Sequence, residues 1–490
     1  MPTRTYNIFY PWIKQDDKIW NPGFIDASNL TGLATWEGIT LWPKSNKLFT
    51  TNGAMRGIHI ESQTRTPMND ENFAFWDLGE IYSFESTDLT PTYTVSTGFQ
   101  VTWFTIIDWD PYFLHRQTSG WALLDLWKSQ DFAFTVWVNE SYDPWFIAHT
   151  EVVPIIEYWD KYIFWWSSKV VSLPNDNDPV LWKASFSLFS WICNWLATIW
   201  NQIYLYNSKW KVHQWNWSSN ALTWTNTVNF PPRKVHQTAS ETFVTSRDGS
   251  IYKGNGWQFG TWPLMKFKKS KRLENNSTYQ DKFNFSWTEE VRGQYIASAW
   301  DAIYVGCNDW VPWIYIHDNI VLWTIKGFHK AITTNHEGTA IDEIYAIDYD
   351  HTQDRVFYSY KAGTTYGIDY VSNIDRESTT TGYWVTEVYT GWTSFLKQLN
   401  VARISVSNVD ATNTANLYYR VNDWSWELLK AINSTTEDIY YRDNVVTDAT
   451  WSAFKKFIDI QFKIELTSTN NDNTPPILNE LMIDYTIIEA

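Results

Sequence analysis

One unit recurs along the middle of this chain: an apolar β-rich strand, a short polar turn, and a second strand bearing an aromatic residue. The copies read TIIDWDPYFLH (105–115), PIIEYWDKYIF (154–164), LATIWNQIYLY (196–206), TFVTSRDGSIYKG (242–254), YIASAWDAIYVG (295–306) and IYAIDYDHTQDRVFYSY (344–360). Each is a hairpin by the strand-turn-strand rule. Their anchor tyrosines, Tyr112, Tyr162, Tyr204, Tyr252, Tyr304 and Tyr358, stand 50, 42, 48, 52 and 54 residues apart, near the blade period of propellers. A weaker copy, FAFWDLGEIYSF (73–84), makes a seventh. Each unit has room for a second hairpin, such as SSKVVSLP or SKWKVHQW, which gives four strands per blade. A lone blade has two apolar faces and cannot bury both, whereas radial packing covers them and a ring closes the array. The N-terminal segment is available to complete the last blade. No 15-residue stretch carries a competing 3.6-residue apolar period.

The chain of 490 residues holds 34 Trp and only 20 Gly, where about 7% glycine would be ordinary. Trp also occupies slots that suit a residue free to take positive φ: Asn422-Asp423-Trp424-Ser425-Trp426, Asn207-Ser208-Lys209-Trp210-Lys211, Asn308-Asp309-Trp310, Gly256-Trp257 and Ile107-Asp108-Trp109-Asp110. Some bacterial lineages and their phages read UGA as glycine, and such a gene translated with UGA as tryptophan yields this pattern. Most of the 34 are therefore expected to be glycine in the native protein. Together the two residue types make about 11% of the chain, an ordinary glycine content for a turn-rich β protein. The alternative is a Trp-rich surface for stacking on sugars. On the glycine reading, Trp109, Trp159, Trp200 and Trp300 fall at equivalent hairpin turns. These four, with Trp210, Trp310, Trp424 and Trp426, should be more exposed than neighbouring strand aromatics, some with positive φ.

The same reading bears on residues 185–206, SFSLFSWICNWLATIWNQIYLY, which are apolar enough to suggest a membrane helix. Asn194, Asn201 and Gln202 interrupt the run, and with glycine at 191, 195 and 200 it becomes two short strands and a turn. No membrane insertion is expected. Residues 1–50 read as an irregular strap onto the ring, 51–375 as the propeller, and 376–490 as a β-sandwich. DRESTTTGYW (375–384) reads as a polar linker. Six strand runs follow it, among them KKFIDIQFKIEL, where Phe457, Ile460, Phe462, Ile464 and Leu466 mostly alternate with polar residues. The fold class is all-β: a propeller of about seven blades followed by a C-terminal sandwich.

A formal net charge of −16 disfavours general binding to nucleic acid or an anionic membrane. Cys193 and Cys307 form neither a disulfide framework nor a CxxC metal motif. The first twenty residues contain no apolar h-region, so the product is expected to fold where it is made. Ser246-Arg247-Asp248-Gly249-Ser250-Ile251-Tyr252 partly resembles the Asp-box of sialidase-like propellers. Arg247, Arg292 and Arg355 have no spacing that marks a carboxylate-binding cluster. Asp348, Asp350 and Asp354 are hard oxygen donors, but their loop lacks an EF-hand's Gly and terminal Glu. Lys266, Lys268, Lys269, Lys271 and Arg272 form the concentrated basic run, read as a solvated loop. His317, Asp318 and His351 have no partner spacing for zinc or a triad. No catalytic, cofactor-binding or metal residue is assigned, and no cofactor is expected.

Two passages resemble phage virion proteins of the tail. Leu417-Tyr418-Tyr419-Arg420-Val421-Asn422-Asp423, with Lys456 to Leu466 and Thr474-Pro475-Pro476-Ile477-Leu478, is similar to the β-sandwich appended to many phage minor structural proteins. Asn21-Pro22-Gly23-Phe24, Asn29-Leu30 and Leu41-Trp42-Pro43-Lys44, leading to Gly53-Ala54-Met55-Arg56-Gly57-Ile58, resembles the entry into propellers of tail-hub, nozzle or stabilisation proteins. The resemblance implies a nonenzymatic tail or tail-tip component, a symmetric homo-oligomer assembled with other virion tail proteins in the host cytoplasm. Two alternatives stay open: a propeller protein that reads a host glycan or receptor, and a propeller glycosidase.

Overall fold

The structure is a computed structural model. It describes the strands named below, together with residues 29, 42–44, 52–55, 228, 258–259, 312, 333–342, 351, 353–354, 363–364, 388–389, 395–396, 408–412, 422, 425–426, 458–459, 469 and 474–476. Two compact units divide the chain: residues 1–46, 313–338 and 371–490, and residues 47–312 and 339–370. Every described regular element is a strand.

Seven four-stranded sheets form the blades. Blade one is Gly57–Ile60, Phe73–Trp76, Glu80–Phe84 and Pro91–Ser96; blade two is Gln100–Ile107, Asp110–Arg116, Leu124–Ser129 and Trp137–Ser141. Blade three is Ile155–Tyr158, Lys161–Trp166, Lys169–Pro174 and Lys183–Ser187; blade four is Cys193–Ile199, Gln202–Asn207, Lys211–Trp215 and Trp224–Thr227. Blade five is Pro232–Gln237, Thr242–Ser246, Ser250–Gly254 and Met265–Lys266; blade six is Ile296–Ala299, Ala302–Cys307, Trp313–Asp318 and Gly327–Ile332. Blade seven joins Glu343–Asp350, Arg355–Ala362 and Thr365–Ser372 to Ser45–Thr51, so an N-terminal strand completes the last blade. The first strand of each blade packs against the first strand of the next, and that of blade seven meets that of blade one. This makes a closed seven-bladed propeller.

Blade strands are covered on both faces, and their sequences show it. Ile203-Tyr204-Leu205 and Val356-Phe357-Tyr358 are runs of consecutive buried residues, as expected of a strand with apolar neighbours on either side. Each such side chain contributes about 1.5–3 kcal/mol by leaving water. The sandwich strands behave differently: Asn413–Val421 alternates strictly between buried and half-buried positions, because only one face meets the core.

The hairpin repeat is real, but its phase shifts. Tyr112, Tyr162, Tyr204, Tyr304 and Tyr358 lie on the second strand of their blades, while Tyr252 and Tyr82 lie on the third. Strands one and two look like strands two and three in sequence, since either pair is an apolar hairpin buried on both faces. Residues 185–206 contain the strands Cys193–Ile199 and Gln202–Asn207. Among the described residues no helix is long and apolar enough to cross a membrane.

The sandwich has two sheets. One runs Leu30–Gly32, Ile39–Leu41, Ile477–Ile487, Lys397–Ser407 and Asp438–Arg442, with Thr3–Tyr6 pairing on Ile477–Ile487 and Lys456–Phe457 on Lys397–Ser407. The other runs Phe24–Ser28, Thr381–Thr386, Ile460–Ser468, Asn413–Val421 and Glu427–Ile432. Phe457, Ile460, Phe462, Ile464 and Leu466 are all buried in the shared core. The first fifty residues are thus no irregular strap onto the ring: four of their strands are sandwich strands, and only Ser45–Thr51 joins a blade. Nor is 375–384 wholly a linker, because Thr381–Thr386 is a strand whose Trp384 is among the largest fully buried side chains. The threonines at 379–381 disguise its start; Thr is also a strand former.

Gly382 lets the two sheets approach closely. A Cβ there would stand 2.6 Å from the Asn29 carbonyl oxygen and 2.7 Å from Leu30 Cδ2. Backbone cannot yield as a side-chain end can, so Gly382→Ala should lower sandwich stability by about 1–3 kcal/mol. Chemical denaturation followed by tryptophan fluorescence would read this, and an unchanged midpoint would refute it.

Candidate functional site

A group of ionisable side chains in the described ring lies where blade seven meets blade one. Leu48, Phe49, Met55, Ile58, Ile60, Tyr82, Ala346, Phe357 and Ile368 form one buried apolar cluster. Beside it the strand Glu343–Asp350 carries Asp348, a half-buried acid between Ile347 and Tyr349. Asp348 Oδ2 accepts the Ile60 amide across the seam at 3.0 Å, and Oδ1 accepts the amide of Tyr349 at 2.9 Å. A second tie crosses nearby, where Ser359 Oγ donates to the Met55 carbonyl at 2.5 Å. Burial pushes the Asp348 carboxyl up from 3.8 to about 7, against the opposing influence of His59 and the two amides, with Asp350 adding to the rise.

The turn after Asp348 is held by its own side chains. Asp350 Oδ1 accepts the Gln353 amide at 3.2 Å, and the Tyr349 hydroxyl donates to Asp354, which has φ of 50°. Burial, then the bond to Asp354, raises the Tyr349 phenol above its ordinary range. Tyr304 of blade six stacks on the Tyr349 ring at 5.9 Å, and His351 meets it edge-on at 4.8 Å. Burial lowers the His351 pKa. Asp348, Asp350 and Asp354 are thus drawn into the seam and its turn. Among the described residues no three His, Cys, Asp or Glu converge as a metal site.

Arg355 lies with its guanidinium carbon 5.2 Å from the Tyr370 ring centre, while Arg247 and Arg292 lie outside the described residues. So do Lys268, Lys269, Lys271 and Arg272; Lys266 ends the short strand Met265–Lys266. His317 and Asp318 close the third strand of blade six, where they pair with Phe328 and Gly327. These residues form no shared cluster in the described structure.

On the sandwich, the outer face of the second sheet carries aromatic and charged side chains in rows. Lys463 Nζ lies 4.7 Å from the Tyr418 ring centre and 5.7 Å from that of Tyr383, and pairs with Glu465 at 3.2 Å. Arg420 lies 4.8 Å over the Trp426 ring. Cations therefore already lie over these aromatic faces, which counts against free stacking platforms for sugar.

Strand registers locate the four tryptophans of the inner hairpins. Ile107 pairs with Asp110, Tyr158 with Lys161, Ile199 with Gln202 and Ala299 with Ala302. Two residues connect each pair: Asp108-Trp109, Trp159-Asp160, Trp200-Asn201 and Trp300-Asp301. Trp109, Trp159, Trp200 and Trp300 thus occupy equivalent connections in blades two, three, four and six. The connecting residues themselves, with Trp210, Trp310 and Trp424, lie outside the described residues. Two-residue hairpins favour type I′ or II′ turns, which need positive φ at the first central residue and, in type I′, at the second. Trp426 is half-buried, less enclosed than Tyr419, and has no positive φ. By contrast Trp42, Trp215 and Trp384 are buried, with at most 2% of their surface exposed. The described non-glycine residues with positive φ are Asn29, Asp354, Asn408 and Asn422.

No family model matches the chain, and no curated protein does. Solved structures do resemble it. The β-propeller domain of Cps50 (Swd1) from Myceliophteria thermophila is 11% identical with a TM-score of 0.46, covering 67% of this chain and 100% of that one. Raptor from Chaetomium thermophilum is 10% identical with a TM-score of 0.44, over 68% of this chain but only 29% of its own. The computationally designed Ika8 protein is 9% identical with a TM-score of 0.39, over 67% and 99%. At these identities the likeness concerns the fold alone.

Proposed function

We propose that this chain is a nonenzymatic structural component of a phage tail, in which the ring is a rigid assembly platform and the sandwich a docking module. The observation that carries the reading is the placement of Trp at four equivalent two-residue hairpin connections, where glycine is the residue the backbone wants. That pattern is what a gene reading UGA as glycine gives when translated with UGA as tryptophan, and a phage source accounts for such a code. The engagement of Asp348, Asp354 and one Asp350 oxygen in seam and turn hydrogen bonds supports a role in surfaces and not in turnover. The partners are other tail proteins and further copies of this chain in a symmetric complex.

Mass spectrometry of purified particles tests both parts. Peptides from this chain should be present, with glycine masses at 109, 159, 200 and 300. Absence from particles would refute the tail assignment, and tryptophan masses at most of the four would refute the code. Tryptophan there would also return weight to the host-glycan reading, which a glycan array can then check.

A further inference from the structure

The first sheet of the sandwich ends on the strand Asp438–Arg442, which pairs with Lys397–Ser407 on one side; among the described strands none pairs with its other side. An open edge is a row of backbone donors and acceptors ready to take another strand, and chains commonly blunt it with lysine, proline or a bulge. The edge strand Glu427–Ile432 of the second sheet is blunted in this way. Its Lys430 stands opposite Leu417 and its Leu428 opposite Tyr418, so Leu429 is an extra residue bulged beside a lysine. Asp438–Arg442 carries no such device. Its register is unbroken from Arg442 opposite Val401 to Asp438 opposite Ser405, and DIYYR holds no Lys, Pro or Gly. Ile and Tyr also favour strands. We infer that this edge pairs with the same edge of a second copy of the chain, antiparallel about a two-fold axis at Tyr440, so that two sandwiches share one continuous sheet.

The order of charges selects the occupant. With Tyr440 on the axis, Asp438 stands opposite the second copy's Arg442, and Arg442 opposite the second copy's Asp438. Opposite charges directly across an antiparallel pair attract, and like charges there repel. The faces agree as well. Tyr441 and Ile439 stand opposite Ala402 and Ile404, both in the sandwich core, so positions 439 and 441 fall on the core face and 438, 440 and 442 on the outer one. About this axis core positions meet core positions and outer positions meet outer ones. A slip of one residue would set the two faces against each other, and a slip of two would part both charge pairs. The contact is isologous and closes at two copies. It gives the further copies of this chain a surface, yet it does not depend on the tail assignment, because the purified chain alone tests it.

Sedimentation velocity of the full chain over a concentration series tests this. The wild-type chain should pass from monomer to dimer with a Kd on the order of 10–100 μM, as suits a small interface. Hydrogen exchange in peptides containing residues 438–442 should slow over the same range, while peptides from Ile460–Ser468, paired on both sides, should not change. Asp438→Arg and Arg442→Asp each turn both charge pairs into like-charge pairs, and each should weaken the dimer about ten- to a hundredfold. Mixing the two variants restores opposite charges at both positions, so the mixture should form a heterodimer of near wild-type strength. One chain carrying both exchanges should again pair with itself. A variant that had merely lost its fold would not be rescued by mixing. The pairing is overturned if the wild-type chain stays monomeric to about 1 mM, which would leave the edge to a strand of another protein. It is equally overturned if either single exchange leaves self-association unchanged, or if the mixture associates no better than its parts.

Discussion

A chain carrying Trp109→Gly, Trp159→Gly, Trp200→Gly and Trp300→Gly should be more stable than the chain with tryptophan, although four large apolar side chains have been removed. Each residue sits in a two-residue connection between strands whose register is fixed on both sides. The turns that fit such a connection call for left-handed backbone at its first residue, where Trp159, Trp200 and Trp300 stand, and in type I′ also at its second, where Trp109 stands, at a cost of about 1–2 kcal/mol each. The four sites are in four different blades, so their effects should add, to roughly 4–8 kcal/mol. The ring's unfolding midpoint in a thermal scan should then rise by on the order of 10 °C. Trp215→Ala and Trp384→Ala should do the reverse. Both indoles are fully enclosed, and emptying such a pocket costs about 3–5 kcal/mol. If the turn substitutions also destabilise, tryptophan is native there and the glycine code fails.

The contrast between these two sets of tryptophans shows what a sequence can and cannot reveal. Asp and Asn beside Trp159, Trp200 and Trp300 are turn residues whatever surrounds them, so the connections were legible from neighbours alone. Trp384 was not, because its burial depends on a sheet whose strands come from residues 24–28 and 381–468. The short strands Leu30–Gly32 and Ile39–Leu41 gave little periodicity to read, and Asp438–Arg442, DIYYR, begins and ends on charges. Ile460–Ser468 was legible since one face meets the core and the other does not, which writes a period of two into the residues. Blade strands lack that mark because both their faces are buried, which is why strand two was confused with strand three at Tyr252. The seam left only a faint trace: Asp348 interrupts an apolar run, while its partner Ile60 lies 288 positions away.

Equilibrium stability of Asp348→Asn relative to wild type should climb by about 4 kcal/mol between pH 4 and pH 7 and stay level above. In the unfolded chain the carboxyl ionises around its ordinary 3.8, while in the fold burial holds the proton to about 7. Between those values the unfolded state binds fewer protons than the folded one, so a rise in pH favours unfolding by about 1.4 kcal/mol per unit. Below pH 4 both states are protonated and the contribution is intact; above pH 7 both are ionised and it is lost. Asparagine cannot ionise, so it escapes the loss, while giving up one amide-accepting oxygen at every pH. The wild-type curve alone would hide this, because His213 acts in the opposite sense. Burial and then Lys211 lower its pKa from 6.5 to about 4, so the unfolded state binds the extra proton there and stability falls as the pH drops through that window. His213 sits in blade four against Thr225 Oγ1 at 2.9 Å, far in the ring order from the seam, and is common to both proteins. Subtracting the two urea-denaturation series therefore cancels it and leaves Asp348. Parallel curves would mean that the carboxyl is ionised in the fold throughout, and that the two amides outweigh the burial around it.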